Sequence, residues 1–163
     1  MYEIDMIDRA IVEFLMEDGR MSNAEIARRL GTVSERVVRY RLERMKAQGI
    51  IRVSAIPMPQ ALGFSVVADV FIEVEPGRIP DVAYQVMAYE CVTYVACSTG
   101  DRDVSIQVVM HDNAELYRFV TEVIGHIPGV RKTSTILVPL ILKDVYEWRI
   151  PVSACAGGKE GEA

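Results

Sequence analysis

The sequence predicts an α+β protein in two parts. An N-terminal helix-turn-helix unit, winged-helix-like in type, precedes a C-terminal βαββαβ domain of ferredoxin-like pattern. Three observations predict this. Apolar residues recur at three- and four-residue spacing up to about residue 48. From residue 65 the period shortens to two. Between them Pro57, Pro59 and Gly63 punctuate the chain. The expected divisions are 1–55 for the helical unit, 56–63 for a linker, 64–150 for the second domain and 151–163 for a disordered tail.

The elements follow in order. Residues 5–18 read as a helix through Ile7, Ala10, Ile11, Phe14 and Leu15, ended by Asp18-Gly19. Ser22 with Glu25 three positions on predicts a capping box for a second helix, which carries Ile26, Ala27 and Leu30 and stops at Gly31. Ser34 is the expected N-cap of a third helix running to about Gln48, with Val38, Leu42 and Met45 inward. Ile50, Ile51, Val53 and Ala55 suggest a short strand. In the second domain, Val66, Ala68, Val70, Ile72 and Val74 form one apolar strand face, and Pro76-Gly77 ends the strand. A helix over 79–89, strands over 92–99 and 104–110, a helix over 112–125 and a long last strand over 130–143, interrupted at Pro139, complete the pattern. The tail from Pro151 is small and polar, hence the expectation of disorder.

The chain has 163 residues, half of them hydrophobic and a quarter charged, which is globular composition. Asp69, Glu73 and Glu75 break the longest candidate for a membrane span. The acidic start MYEIDMIDRA is no secretory signal, so a cytoplasmic location is expected. Three cysteines without a CxxC pair, and two histidines without a metal-spaced partner, give no disulfide framework, no metal site and no cofactor. No Ser-His-Asp order or Walker loop is present, so no catalytic residue is assigned.

Charge is uneven. The whole chain carries −5, yet residues 28–52 hold eight basic residues (Arg28, Arg29, Arg36, Arg39, Arg41, Arg44, Lys46, Arg52) against Glu35 and Glu43. Such a local excess suits phosphates, and it falls on the helix that a helix-turn-helix presents to the major groove. With Val38, Leu42 and Met45 inward, Arg36, Tyr40 and Glu43 lie opposite, flanked by Arg39 and Arg44. The expected DNA-contacting set is therefore Ser34, Glu35, Arg36, Arg39, Tyr40, Arg41 and Arg44. Arg41 packs its stem at the core edge and reaches a phosphate with its head. Double-stranded DNA is the expected partner.

Several short patterns recur together: Ile4-Asp5…Asp8…Ile11, then Asp18-Gly19-Arg20-Met21-Ser22, then Ser34, Val38, Arg41, Leu42, Met45 and Gly49-Ile50-Ile51. Leu62-Gly63, Thr99-Gly100-Asp101-Arg102-Asp103, and Pro128-Gly129-Val130 with Thr133 and Thr135 follow. By these patterns, residues 4–147 resemble the Lrp/AsnC (leucine-responsive/asparagine, feast/famine) family of transcription regulators. One departure is the pair Thr32-Val33 between Gly31 and Ser34, where the family usually has a single residue.

The resemblance implies a regulator responsive to an amino acid or related metabolite. It implies effector positions at Ala96, Gly100, Asp103, Asn113, Ile136, Leu137 and Val138, and homodimers assembling to tetramers or octamers. The residues themselves leave Asp101 and Asp103 equally readable as turn formers of a hairpin. The first strand's second face (Ser65, Val67, Asp69, Phe71, Glu73) is apolar at its centre, which suggests face-to-face pairing of two sheets. Two other readings compete: a metabolite-sensing or interaction module that does not read DNA, and a tetrapyrrole decarboxylase of the same two-part plan. The latter is disfavoured because His111 and His126 fall on different elements with no basic cluster beside them.

Overall fold

The computed structural model describes residues 3–157. It divides into two compact units, residues 3–56 together with 143–157, and residues 57–142.

In the first unit, helix α1 spans Met6–Glu17, α2 Asn23–Leu30 and α3 Glu35–Ala47. Asp5 starts α1. Its carboxylate accepts the N–H groups of Ile7 and Asp8, both at 2.9 Å, while the Asp8 carboxylate accepts the Asp5 N–H at 3.2 Å, so the reciprocal capping box sits here. At α2 only half of the expected box forms. Ser22 Oγ accepts the Glu25 N–H, but the Glu25 carboxylate turns forward onto Arg28 and Arg29, where charge-assisted bonds outcompete a neutral amide. Gly31 closes α2 in the left-handed region, φ 69°, and Ser34 Oγ caps α3 through the Val37 N–H. The additional residue between them disturbs neither cap, and Val33 packs against the core. That core is Ile11, Ile26, Val38 and Met45, all fully buried. Each contributes about 1.5–3 kcal/mol by leaving water.

Three expectations for this unit are corrected. Residues 50–55 pair with no strand, so the short strand expected there does not form among the described residues: a lone segment has no ladder to complete. Residues 143–150 belong with the helical unit rather than the second domain, and 151–157 are ordered against it rather than a disordered tail. The cause is burial and backbone pairing. Ile150 and Cys155 are 8% and 5% exposed, Arg9 Nε donates to the Ile150 carbonyl at 2.9 Å, and the Ala156 N–H donates to the Ile4 carbonyl at 2.7 Å. The rest of the expected tail lies outside the described residues.

The second unit is an antiparallel sheet of β1 (Val66–Val74), β2 (Val92–Cys97), β3 (Val104–Met110) and β4 (Val130–Leu137), in the order β2-β3-β1-β4. Helix α4 (Ile79–Met87) follows β1, and α5 (Asn113–Arg118) follows β3, giving the βαββαβ order. Beyond α5 the helical path continues as a π turn, Phe119–Val123, and a 3₁₀ turn, Ile124–His126, so the single helix expected over 112–125 changes its hydrogen-bond pattern partway. The covered sheet face carries Ala68, Val70, Ile72, Val74, Val104, Ile106 and Val108, which pack on Val82, Val86, Leu116 and Ile124. β4 ends at Leu137, short of the expected 143, because Pro139 has no N–H to continue a ladder.

On the open face Val67 and Val109 are already buried within the chain, and Asp69 accepts a hydrogen bond from Gln107 Nε2. The register slips between Glu73 and Val74, where Lys132 pairs with Glu73 and Val130 with Val74, leaving Arg131 at a bulge. Gly129 feeds this bulge at φ +98°, and a Cβ there would lie 2.9 Å from Arg78 Cβ. Its carbonyl accepts the Glu75 N–H at 2.8 Å.

Candidate nucleic-acid interface and effector cleft

Helix α3 is polar on one side and apolar on the other. Val38 and Met45 are fully buried, whereas Ser34, Glu35, Arg36, Arg39, Tyr40, Glu43 and Arg44 are exposed, Tyr40 by 63%. The sequence-derived set thus shares one exposed face, with a single exception. Arg41 turns inward: its Nη1 lies 2.7 Å from Asp5 Oδ2 and 2.9 Å from Asp8 Oδ1, and Asp8 is only 1% exposed. Its head is committed to α1 instead of a phosphate, because two carboxylates at the α1 N-terminus offer fixed partners at the end of its stem. Asp8 was not singled out from sequence as a partner of this helix. Its buried side chain could have been suspected from its N3 position in the Asp5…Asp8 box.

The local excess of charge is partly spent inside the unit. Arg28 and Arg29 bind Glu25, Arg29 also reaches Glu17, and Lys46 pairs with Glu43 at 3.1 Å. The hydrogen bonds from Arg28 and then Arg29 pull the Glu25 carboxyl down to about 2. Arg36 and Arg39 make no ion pair or hydrogen bond through their side chains among the described residues. Exposed guanidinium groups beside an aromatic ring, on a helix held rigid by its buried stripe, can take phosphate oxygens or the O6/N7 edge of guanine.

A second feature lies in the other unit. A cleft of about 650 Å³ opens beside the turn Gly100-Asp101-Arg102-Asp103, with Phe71 and Glu73 from β1 and Arg131, Lys132 and Ser134 from β4 as its walls. Asp103 Oδ2 accepts the Val74 N–H at 2.7 Å, the Asp103 N–H donates to the Ile72 carbonyl, and the Ser98 N–H donates to the Asp103 carbonyl. The turn is thereby pinned to β1. The Arg102 guanidinium sits over the Phe71 ring, 4.0 Å from its centroid.

Of the effector positions expected from sequence, Gly100 and Asp103 line this cleft. Ala96 on β2, Asn113 at the start of α5, Ile136 and Leu137 on β4, and Val138 beyond it do not. Phe71, Arg102, Arg131 and Lys132 were not assigned from sequence as effector residues. The adjacent basic pair at the start of the last strand was the available signal. His111 is engaged structurally, its Nδ1 3.0 Å from Glu115 and its ring 4.1 Å from that of Phe64. Among the described residues no helix is long and apolar enough to cross a membrane.

Comparison with known proteins places both units. Residues 4–46 match the AsnC-type helix-turn-helix domain and residues 67–147 the Lrp/AsnC ligand binding domain. An HTH-type transcriptional regulator of Pyrococcus horikoshii is 37% identical over 147 residues, covering 90% of each chain. The HTH-type transcriptional regulator FL11 of Pyrococcus abyssi is 35% identical over 145 residues, 88% of this chain and 95% of that one. Among solved structures, AsnC of Escherichia coli superposes with a TM-score of 0.81 at 29% identity, over 89% of this chain and 99% of that one. With a recognition helix exposed on its basic side and a ligand-binding domain behind it in sequence, this chain belongs to the Lrp/AsnC family of helix-turn-helix transcriptional regulators.

Proposed function

We propose that α3 reads operator DNA in the cytoplasm with Ser34, Glu35, Arg36, Arg39, Tyr40 and Arg44, and that an amino acid or close relative bound beside the Gly100-Asp103 turn modulates that reading. The observation that carries the first part is the pair of exposed guanidinium groups of Arg36 and Arg39, without a partner among the described residues, on the side of α3 opposite its buried stripe. A recognition helix enters the groove N-terminus first, so Arg36 and Tyr40 meet base edges while Arg39 and Arg44 meet the backbone.

Arg36→Ala then relaxes specificity at one base position, at a cost of about 1–3 kcal/mol. Arg44→Ala weakens all sequences alike. Binding-site selection from genomic fragments, followed by gel shift of both variants on the selected and a scrambled site, tests this. Equal loss on both sites for Arg36→Ala contradicts base reading.

Assembly follows from exposed aliphatic surface in the second unit. Leu140 and Leu142 are 69% and 87% exposed, and Ile136 and Leu137 about half, a run that water does not favour and a second copy could cover. Pairing as a C2 dimer gives a pseudo-palindromic operator with half-sites about one helical turn apart. Sedimentation at micromolar concentration checks it, and a monomeric mass refutes it.

A further inference from the structure

We infer that residues 150–156 set the position of the recognition helix, acting through the start of α1 and Arg41. They are positioning residues for DNA reading and do not themselves meet DNA. This rests on the reading of α3 above. The chain returns to the helical unit at residue 143 and closes on the start of α1 at two points. Ile150 is buried, and its carbonyl accepts from Arg9 Nε at 2.9 Å. Cys155 is buried too, and next to it the Ala156 N–H donates to the Ile4 carbonyl at 2.7 Å. That carbonyl shares one planar peptide unit with the Asp5 N–H, so fixing one fixes the other. The Asp5 N–H donates to Asp8 Oδ2 at 3.2 Å, and Asp8 Oδ1 accepts from Arg41 Nη1 at 2.9 Å. A continuous run of hydrogen bonds thus leads from the C-terminal segment through the buried Asp8 to the middle of α3, and in a low-dielectric site each bond polarises the next.

Helix ends fray, and α1 begins at Asp5, whose carboxylate also holds Arg41 at 2.7 Å. With the segment docked, Asp5 and Asp8 stand still and Arg41 has a fixed anchor. With it released, the peptide unit between Ile4 and Asp5 can turn, the capping box loosens, and α3 relies on its buried stripe of Val38 and Met45. Burial is non-directional, so such a stripe resists small slides and rotations weakly. Hydrogen bonds to base edges are directional and weaken steeply once their geometry is lost. Releasing the segment therefore lowers DNA affinity although every DNA-facing side chain is intact.

The experiment is fluorescence anisotropy of the full chain on a selected operator, at a temperature where circular dichroism shows every variant folded. Ala156→Pro deletes the N–H at an exposed position, and Ile150→Ala hollows the buried one. Each is expected to weaken operator binding about tenfold, with the slope of log K against log salt unchanged because no phosphate contact is lost. In an Arg41→Met background the route is already cut, and the same substitutions cost less than about twofold. If a double variant does not stay folded, Arg41→Lys takes its place, and there the loss shrinks rather than vanishes. A segment that only stabilised the fold would leave the folded protein binding normally. Affinity within about twofold of wild type for both variants overturns the inference. So does an equal loss with and without the Arg41 substitution, which puts the effect outside this route. So does a lower salt slope, which puts the segment on the phosphates. An Arg36→Ala control that binds the operator as tightly as wild type overturns the reading of α3 and this inference with it.

Discussion

Replacing Arg41 by Met tests the inward course of its side chain. In the folded chain one guanidinium serves two carboxylates, Asp5 at 2.7 Å and the buried Asp8 at 2.9 Å. Without it the two acids face each other at the start of α1. Removing one member of a buried ion pair costs about 3–5 kcal/mol. Arg41 is 23% exposed and Asp5 more so, and solvent screens part of the interaction, so about 2–3 kcal/mol is expected. Arg41→Lys, whose point charge satisfies fewer acceptors, loses about half as much. Urea unfolding followed by Trp148, the single tryptophan, reports the unit concerned, since residues 143–157 pack there.

The pH dependence supplies an independent check. Burial raises the Asp5 carboxyl, but the Asp8 N–H, the Arg41 guanidinium and the Ile7 N–H together outweigh it and hold it below its ordinary value of 3.8. A depressed carboxylate contributes stability that is full above 3.8 and disappears as pH falls through the folded value. The gap between wild type and Arg41→Met therefore closes below about pH 4. A variant that unfolds at the wild-type midpoint, yet binds DNA more weakly at every sequence, would place Arg41 on a phosphate and refute the pairing.

Three further outcomes are expected. Gly129→Ala meets both an unfavourable φ and the Arg78 Cβ, and should destabilise the second unit by about 1–3 kcal/mol, read by thermal unfolding; an unchanged midpoint would mean the bulge is free to move. Ile150→Ala loosens residues 143–157 by about 2 kcal/mol, so Cys155 should react with a disulfide reagent about 30-fold faster while exposed Cys97 reacts at once in both proteins; equal Cys155 rates would show the segment is not held by Ile150. Glu25→Gln removes a carboxylate held at about 2, so the acid dependence of helicity should flatten between pH 4.5 and 2, with wild type losing its advantage as pH falls; parallel profiles by circular dichroism would contradict this.

The caps at Ser22, Ser34 and Asp112 and the turn at Gly31 are legible in sequence, since each depends on residues within four positions. So is the covered face of β1, because alternation there answers to a single buried surface. What was not legible depends on partners far along the chain. Residues 151–157 look like a disordered tail by composition, yet Ala156 is bonded to Ile4 and the adjoining Ile150 to Arg9, both more than a hundred positions away. A helical wheel places Arg41 at the core edge without saying that Asp5 and Asp8 receive its head. In the cleft, the turn was legible but Arg131 was not. A bulge breaks strand alternation, and nothing local announces that the register slips between Glu73 and Val74.

The same distinction decides how strongly salt should weaken DNA binding. Residues 28–52 carry eight basic side chains, and if all met phosphates in both subunits of a dimer, log K would fall with log salt at a slope of about −14. The structure removes several from that count. Arg28 and Arg29 are tied to Glu25, Lys46 to Glu43 and Arg41 to α1, each held by an acid of the same unit. Of the other four, Arg36, Arg39 and Arg44 stand on the exposed side of α3 and Arg52 lies beyond its end. Three phosphates neutralised per subunit by α3 give a slope of about −5. Titration of operator affinity between 50 and 200 mM salt separates the two figures, and Arg39→Ala in both subunits should then lower the slope by about 2. A slope near −14 would mean that DNA draws the paired arginines out of their ion pairs. A flat profile would mean that this face of α3 does not carry the binding at all.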